Sequence, residues 1–510
     1  MLLKINFSEG IIKKNRNSIV SIIIIVLSSL LLRLYFFPFG IPITHDAVNY
    51  FWYASDMNML GRLPNGYTFG NNGWPVFLAP FFTILKLNSA IAYMELQRTI
   101  SVLISVLTVI PVYFLCKHFV NYKFAIIGAA IFAFEPRLIQ DSLSGLNSSL
   151  YVALETLALV LFFSSNKYAK YYSFAIMGFA SLVRSEGLFL FFALSIMYFL
   201  NYRKDKRELI KYTILFLIFI IIVISMAILR IQTNGSDGLT SRIIGTTSSI
   251  IENNSTGNQG IFDYIANGFI TFVKFLGWDM IPIFIFFVPI GVFLIFRNRN
   301  YEKTTIIVTL VITSIPILYA YSSQSLDTKY FYPLYPIFCI MSALTMKKFS
   351  EFTHRPNFLI IIVIIGTFML SFIFLNIIMK DLEYETEYLA VAQYVINNTN
   401  GINGYDPEDG LVRGIEINEK WPILKSSFSN KITIINDEGF NSLSDFIIYG
   451  KQTGLTHLVV DENKNRILFL KNVYLNEDDY PYLKKVLDTE DLGYKHGVKI
   501  FKIDYSLINQ

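Results

Sequence analysis

The chain has 510 residues, 53% of them apolar, 16% aromatic and only 16% charged, with a mean hydropathy of +0.47. A soluble domain carries roughly 25% charged residues, so this composition excludes a soluble enzyme, a disordered chain and a β-barrel, and points to repeated crossings of a bilayer. The formal charge of +5 is unevenly spread: residues 381–510 hold 13 Lys/Arg against 21 Asp/Glu, a net of −8, which leaves +13 for residues 1–380.

In chain order, Lys13, Lys14 and Arg16 precede an apolar stretch from Ser18 to Phe37. It is long enough to span and has no small-residue cleavage pattern behind it, so it reads as an uncleaved first span. The run from Trp74 to Leu87 is short and broken by Pro75 and Pro80. A span there would invert every later loop, so a helix at the outer interface is expected instead. Further runs near 96–116, 122–135, 148–164, 171–184, 186–201, 212–231, 278–296, 304–321, 331–346 and 357–379 bring the expectation to about 11 transmembrane helices.

Basic residues then fall in alternate loops: Lys4 to Arg16, Lys117 with Lys123, Lys167 with Lys170, Arg203 to Lys211, Arg297 to Lys303, and Lys347 to Arg355. The positive-inside rule makes that side cytoplasmic and leaves no case for nucleic-acid binding. An odd number of spans starting inside puts the last 130 residues outside, with the loops near 38–95, 136–147, 232–277 and 322–330. Cys116 and Cys339 lie in or beside apolar runs and read as small core residues. After Lys380 a helix over 385–396 leads into alternating strands near 432–435, 455–460 and 496–503. The expected fold is an all-α polytopic membrane domain over 1–380 followed by a small extracytoplasmic α/β domain over 381–510.

Candidate chemistry gathers in the outer loops. Asp46 follows His45 just past the first span; a carboxylate there can take a proton from an acceptor hydroxyl, and it also suits a helix cap. Glu135-Pro136-Arg137, Arg184-Ser185-Glu186 and Lys329-Tyr330 arrive at the same level from distant parts of the sequence. Cations converging with one carboxylate near the bilayer surface suit a lipid-linked phosphate. Tyr330 and the loop tryptophans can stack on a sugar or polyprenyl chain, or belong to an interfacial aromatic belt. His45 and Asp46 supply two possible ligands for a divalent metal, but with five histidines in the chain and no paired spacing, metal use is left open.

These residues, with Asn72-Gly73-Trp74-Pro75 and Leu182-Val183-Arg184-Ser185-Glu186-Gly187, resemble the GT-C class of integral-membrane glycosyltransferases, in particular its protein-mannosyltransferase and aminoarabinose-transferase-like branch. The resemblance covers roughly residues 18–380. It implies an enzyme that takes a sugar from a polyprenyl-phosphate donor on the outer face and transfers it with inversion to a lipid, glycan or protein acceptor. By position the catalytic base is Asp46, with His45, Arg137, Arg184, Lys329 and Tyr330 as substrate-binding candidates. His45 stands where the class has a second carboxylate, and Asn147 stands where many members have Glu. No two of the four tryptophans are adjacent, so the Trp-Trp-Asp-Tyr-Gly signature of oligosaccharyltransferases is absent and transfer of a single sugar is favoured. The alternative is a transporter or lipid flippase, which calls for charges through the membrane depth and paired broken helices in matching halves; the charges singled out here gather on one face, and no internal repeat is evident.

Overall fold

In hydrocarbon every backbone N–H and C=O must be satisfied within its own segment, so long Ile/Leu/Phe runs have little choice but to coil. The computed structural model describes residues 9–44, 46–67, 70–238, 261–297, 299–379, 382–404, 415, 424, 432–437, 439–462 and 466–508, and His45 lies outside them. Helices occupy the expected apolar runs, but the one expected near 278–296 is interrupted: Ile261–Met280 ends inside it, a short 3-10 turn Phe284–Phe286 follows, and a separate helix Val288–Arg297 takes up the rest. Among the described residues five stretches are long and apolar enough to cross a membrane: Ser18–Tyr35, Ala90–Phe119, Lys206–Asn234, Tyr301–Ser322 and Pro356–Ile378. The others are shorter, among them Tyr122–Ala133, Ser148–Phe162, Ala169–Val183, Glu186–Tyr202 and Tyr335–Ser350.

Polar punctuation starts these helices. Asn121 accepts from the Phe124 N–H, Asp205 from Arg207 and Asn300 from Lys303, each meeting one of the donors a helix start leaves unpaired. The core of the helical unit is Tyr335–Ser350, buried at every residue from Tyr335 to Met346. Lys206–Asn234 instead exposes Ile214, Leu217, Ile221, Ile224 and Ile228, a surface suited to lipid.

Two segments expected in outer loops are helical. Gly73–Leu85 forms a helix that buries Trp74, Leu78 and Phe82. Ile261–Met280, which falls almost wholly inside the segment expected as a loop over 232–277, is a 20-residue helix packed on Tyr301–Ser322, with the Phe275 and Tyr321 rings 5.1 Å apart. Asp263, Lys274 and Asp279 break its apolar run, so it is an amphipathic helix rather than a continuous hydrophobic one.

The chain divides into two units: residues 1–37, 49–84 and 96–377, and residues 38–48, 85–95 and 378–510. The second contains a five-stranded mixed sheet, β1 (Gly401–Gly404), β2 (Thr433–Asn436), β3 (His457–Val460), β4 (Leu483–Asp488) and β5 (Lys499–Ile503), in the order β2-β1-β3-β5-β4. β1 pairs in parallel with β2 and β3, while β5 runs antiparallel to β3 and β4. Strand alternation sends Leu458, Val460, Phe501 and Ile503 into one apolar cluster with Phe446 and Phe469 of the helices Leu443–Thr453 and Leu468–Leu475. It sends Val459, Ile500 and Ile402 into another with Tyr388, Val391 and Val395 of Leu382–Asn398. Helices therefore cover both faces of the sheet.

Candidate active site

Within the helical unit, the tight turn joining Ala169–Val183 to Glu186–Tyr202 sets the position of Arg184. Gly187 is required there: a Cβ on it would lie 2.5 Å from the Ser181 nitrogen. Gly73 is needed for the same reason, since its Cβ would meet the Leu182 carbonyl carbon at 2.6 Å, so the Asn72-Gly73-Trp74 segment lies directly against the backbone of the Arg184 turn. Asn147 adds a staple, its Nδ2 donating to the Val183 carbonyl at 3.2 Å and to the Tyr50 hydroxyl at 3.0 Å.

Arg184 itself is buried. Its Nη2 and Nε donate to Glu186 Oε1 at 2.6 and 3.1 Å, and its Nη1 to Ser148 Oγ at 3.2 Å. Asp141 hydrogen-bonds to the same serine and feels the charges of Arg184, Asp327 and Lys329. Lys329 pairs with Asp327 at 3.1 Å and is partly exposed. Burial pushes the Asp141 carboxyl up to about 7, against the lowering effect of the Ser148 hydrogen bond and the Arg184 charge. The helix carrying it, Pro136–Ser144, is held at its far end by Arg98 Nε on the Leu143 carbonyl (2.5 Å) and by Gln97 and Trp74 on the Gly145 carbonyl (2.9 and 3.2 Å). Arg184, Ser148, Asp141 and Lys329 thus form one polar group drawn from four chain segments. Tyr330 follows Lys329 and meets Tyr321 edge-on at 6.1 Å.

Arg137 is built into a different arrangement. Its guanidinium donates to the Trp278 carbonyl at 2.8 Å, the Asp279 carbonyl at 3.3 Å and the Ile281 carbonyl. It lies 3.6 Å from Asp279 Oδ1 and 3.8 Å from Glu135 Oε1. Tyr335 donates to Asp279 at 2.8 Å. This arginine closes the last carbonyls of the Ile261–Met280 helix and sits between two buried acids, with most of its fork already engaged by the protein.

Several buried polar residues carry no local sequence signal. Arg33, fully buried in the first span, donates to Ser105 Oγ (2.9 Å), Ser142 Oγ (3.3 Å) and the Ala133 carbonyl (3.0 Å), so it clamps helices together. Glu155 is fully buried one turn after Tyr151, near Arg184 and Glu186, and neither its carboxyl oxygens nor the Tyr151 hydroxyl has a hydrogen-bond partner among the described residues. Asp279 and Tyr335 were likewise invisible as a pair, being separated by more than 50 residues.

Asp46 is the first residue of the helix Asp46–Leu60 and is exposed; residues 38–48 belong to the second unit. Among the described residues no group of three or more His, Cys, Asp or Glu side chains is placed to hold a metal ion.

No protein-family model matches the chain, and no curated protein matches it by sequence. Solved structures match its fold. The oligosaccharyltransferase AglB of Archaeoglobus fulgidus, in complex with an inhibitory peptide and a dolichol-phosphate, aligns with a TM-score of 0.54 at 12% identity, over 88% of this chain and 70% of that one. The same organism's oligosaccharyltransferase tethered to an acceptor peptide with the NVT sequon gives 0.58 at 12% identity, over 89% and 70%. ArnT of Cupriavidus metallidurans, bound to undecaprenyl phosphate, gives 0.51 at 10% identity, over 94% and 97%. The chain has the fold of these GT-C glycosyltransferases.

Proposed function

We propose that this protein is a multi-pass membrane glycosyltransferase, N-terminus cytoplasmic, that takes a sugar from a polyprenyl-phosphate donor on the extracytoplasmic face and passes it to a lipid, glycan or protein acceptor. The observation that carries this reading is the Arg184–Ser148–Asp141–Lys329 group at the helix ends, in which Arg184 also pairs with Glu186 and Lys329 with Asp327. A dolichol-phosphate in one structural neighbour and undecaprenyl phosphate in another support the donor class.

In this mechanism Asp46 takes the proton of the acceptor hydroxyl as its oxygen bonds to the anomeric carbon from the side opposite the phosphate. The carbon–oxygen bond to phosphate breaks, the configuration inverts, and polyprenyl phosphate leaves with one more negative charge than it had as a diester. Arg184 and Lys329 stabilise that added charge more than the ground state, the effect that lowers the barrier. Asp46 stands exposed at the first turn of its helix, where an acceptor hydroxyl can reach it. In this scheme Arg137 positions the neighbouring acids and Tyr330 contacts the donor; His45, a substrate-binding candidate by sequence, lies outside the described residues.

The direct test is binding of a short-chain polyprenyl phosphate to the purified full chain. Arg184→Gln removes a charged hydrogen bond, usually about 1.5–3 kcal/mol, and is expected to weaken binding roughly tenfold or more. Undiminished binding by a folded Arg184→Gln protein contradicts the proposal.

A further inference from the structure

The helices that carry the Arg184 group at one end enclose a second polar cavity at the other. Ser148–Phe162, Ala169–Val183 and Glu186–Tyr202 have 15, 15 and 17 residues, about 22–26 Å at the helical rise. That is short of the ~30 Å hydrocarbon layer. Helices shorter than the bilayer draw their end loops toward lipid headgroups or thin the membrane around them. At the ends away from Arg184 lies a cavity of about 360 Å³, lined by residues that include Lys167, Lys170, Tyr198, Tyr202, Glu208 and Tyr301.

The charges in it are sorted. Glu208 accepts from the Tyr198 hydroxyl at 2.7 Å and pairs with Lys211, and Glu302 is bound by His118 Nε2 at 2.8 Å. Lys167 and Lys170 have no carboxylate within 4.0 Å among the described residues. Lys170 Nζ donates to the Tyr202 hydroxyl at 3.0 Å and lies over the Tyr202 and Tyr198 rings at 4.6 and 5.2 Å, while Lys167 lies over Tyr168 at 4.8 Å. Two ammonium groups are therefore held by aromatic rings at this cavity, where Glu208, which also feels the Lys170 charge, is already paired with Lys211. Tyr168, Tyr172, Phe199 and Leu200, on the same helix ends, are exposed and form an apolar rim suited to acyl chains.

We infer that this cavity binds a phosphate group, that of an anionic glycerophospholipid headgroup, on the membrane face opposite the Arg184 cluster. The inference is independent of glycosyl transfer. It is tested on the full chain in detergent by following Tm while adding dioctanoyl phosphatidylglycerol, dioctanoyl phosphatidylcholine or inorganic phosphate. Phosphatidylglycerol is expected to raise Tm, phosphatidylcholine and inorganic phosphate not. Lys167→Gln with Lys170→Gln is expected to raise the apparent Kd for phosphatidylglycerol by about tenfold, or about 1.4 kcal/mol. The exposed Lys167→Gln alone makes the same test without disturbing Lys170 and its tyrosines. A rise with inorganic phosphate that the lysine variants abolish keeps the phosphate site and assigns it a soluble ligand. Equal rises with both lipids, or a phosphatidylglycerol effect unchanged in the variants, overturn the inference.

Discussion

Asp141 shows how a single buried side chain sets the charge of its surroundings. Its carboxyl, pushed up to about 7 by burial, is neutral below that pH and negative above it. The group therefore loses charge as pH falls through about 7, and the neighbourhood of Arg184 and Lys329 becomes more positive. A sugar phosphodiester carries one negative charge across the same range. The KM for donor is accordingly expected to fall between about pH 8 and about pH 6, the region spanned by this raised carboxylate, and Asp141→Asn is expected to flatten the profile. A KM that does not change with pH, or a slope that survives in the asparagine variant, assigns the dependence elsewhere. Glu155 is fully buried within the helix Ser148–Phe162, so buried acidic side chains in this protein are not confined to the loops.

At the level of elements, Arg137 decides how the Ile261–Met280 helix ends. Removing it leaves Glu135 and Asp279 buried with no cation, a change that typically costs about 3–5 kcal/mol. Arg137→Met is therefore expected to lower Tm strongly, and adding Glu135→Gln and Asp279→Asn to restore most of the loss. An Arg137→Met protein of unchanged Tm that no longer binds donor makes this arginine a phosphate ligand instead. The helices themselves were legible in the sequence because runs such as Ser18–Phe37 and 357–379 need no partner to declare themselves. Ile261–Met280 was not, since Asp263 and Lys274 interrupt its apolar positions and its partners lie on Tyr301–Ser322. Arg33 was hidden for a related reason: a lone arginine in an apolar run has no local pattern, and the Ala133 carbonyl that receives it is 100 residues away.

For the whole molecule, the charge asymmetry between residues 1–380 and 381–510 anticipated a change of character near residue 380, and one unit begins its last stretch at residue 378. Nothing in composition announced that residues 38–48 and 85–95 group with that unit, because grouping depends on contacts between segments far apart in sequence. Orientation is open to direct measurement. Cysteines placed at Ser165 and Lys204 are expected to react with an impermeant reagent only from the cytoplasmic side, and one at Gln324 only from outside. The native Cys116 and Cys339 are buried and give a low background. The same side for all three positions contradicts the arrangement of spans. The most direct measurement is sugar transfer from a polyprenyl-phosphate donor by the reconstituted full chain, wild type against Asp46→Asn. Loss of a general base is expected to slow transfer by about 10²–10⁴-fold with Tm and polyprenyl-phosphate binding retained. Undiminished transfer by the asparagine variant contradicts the account.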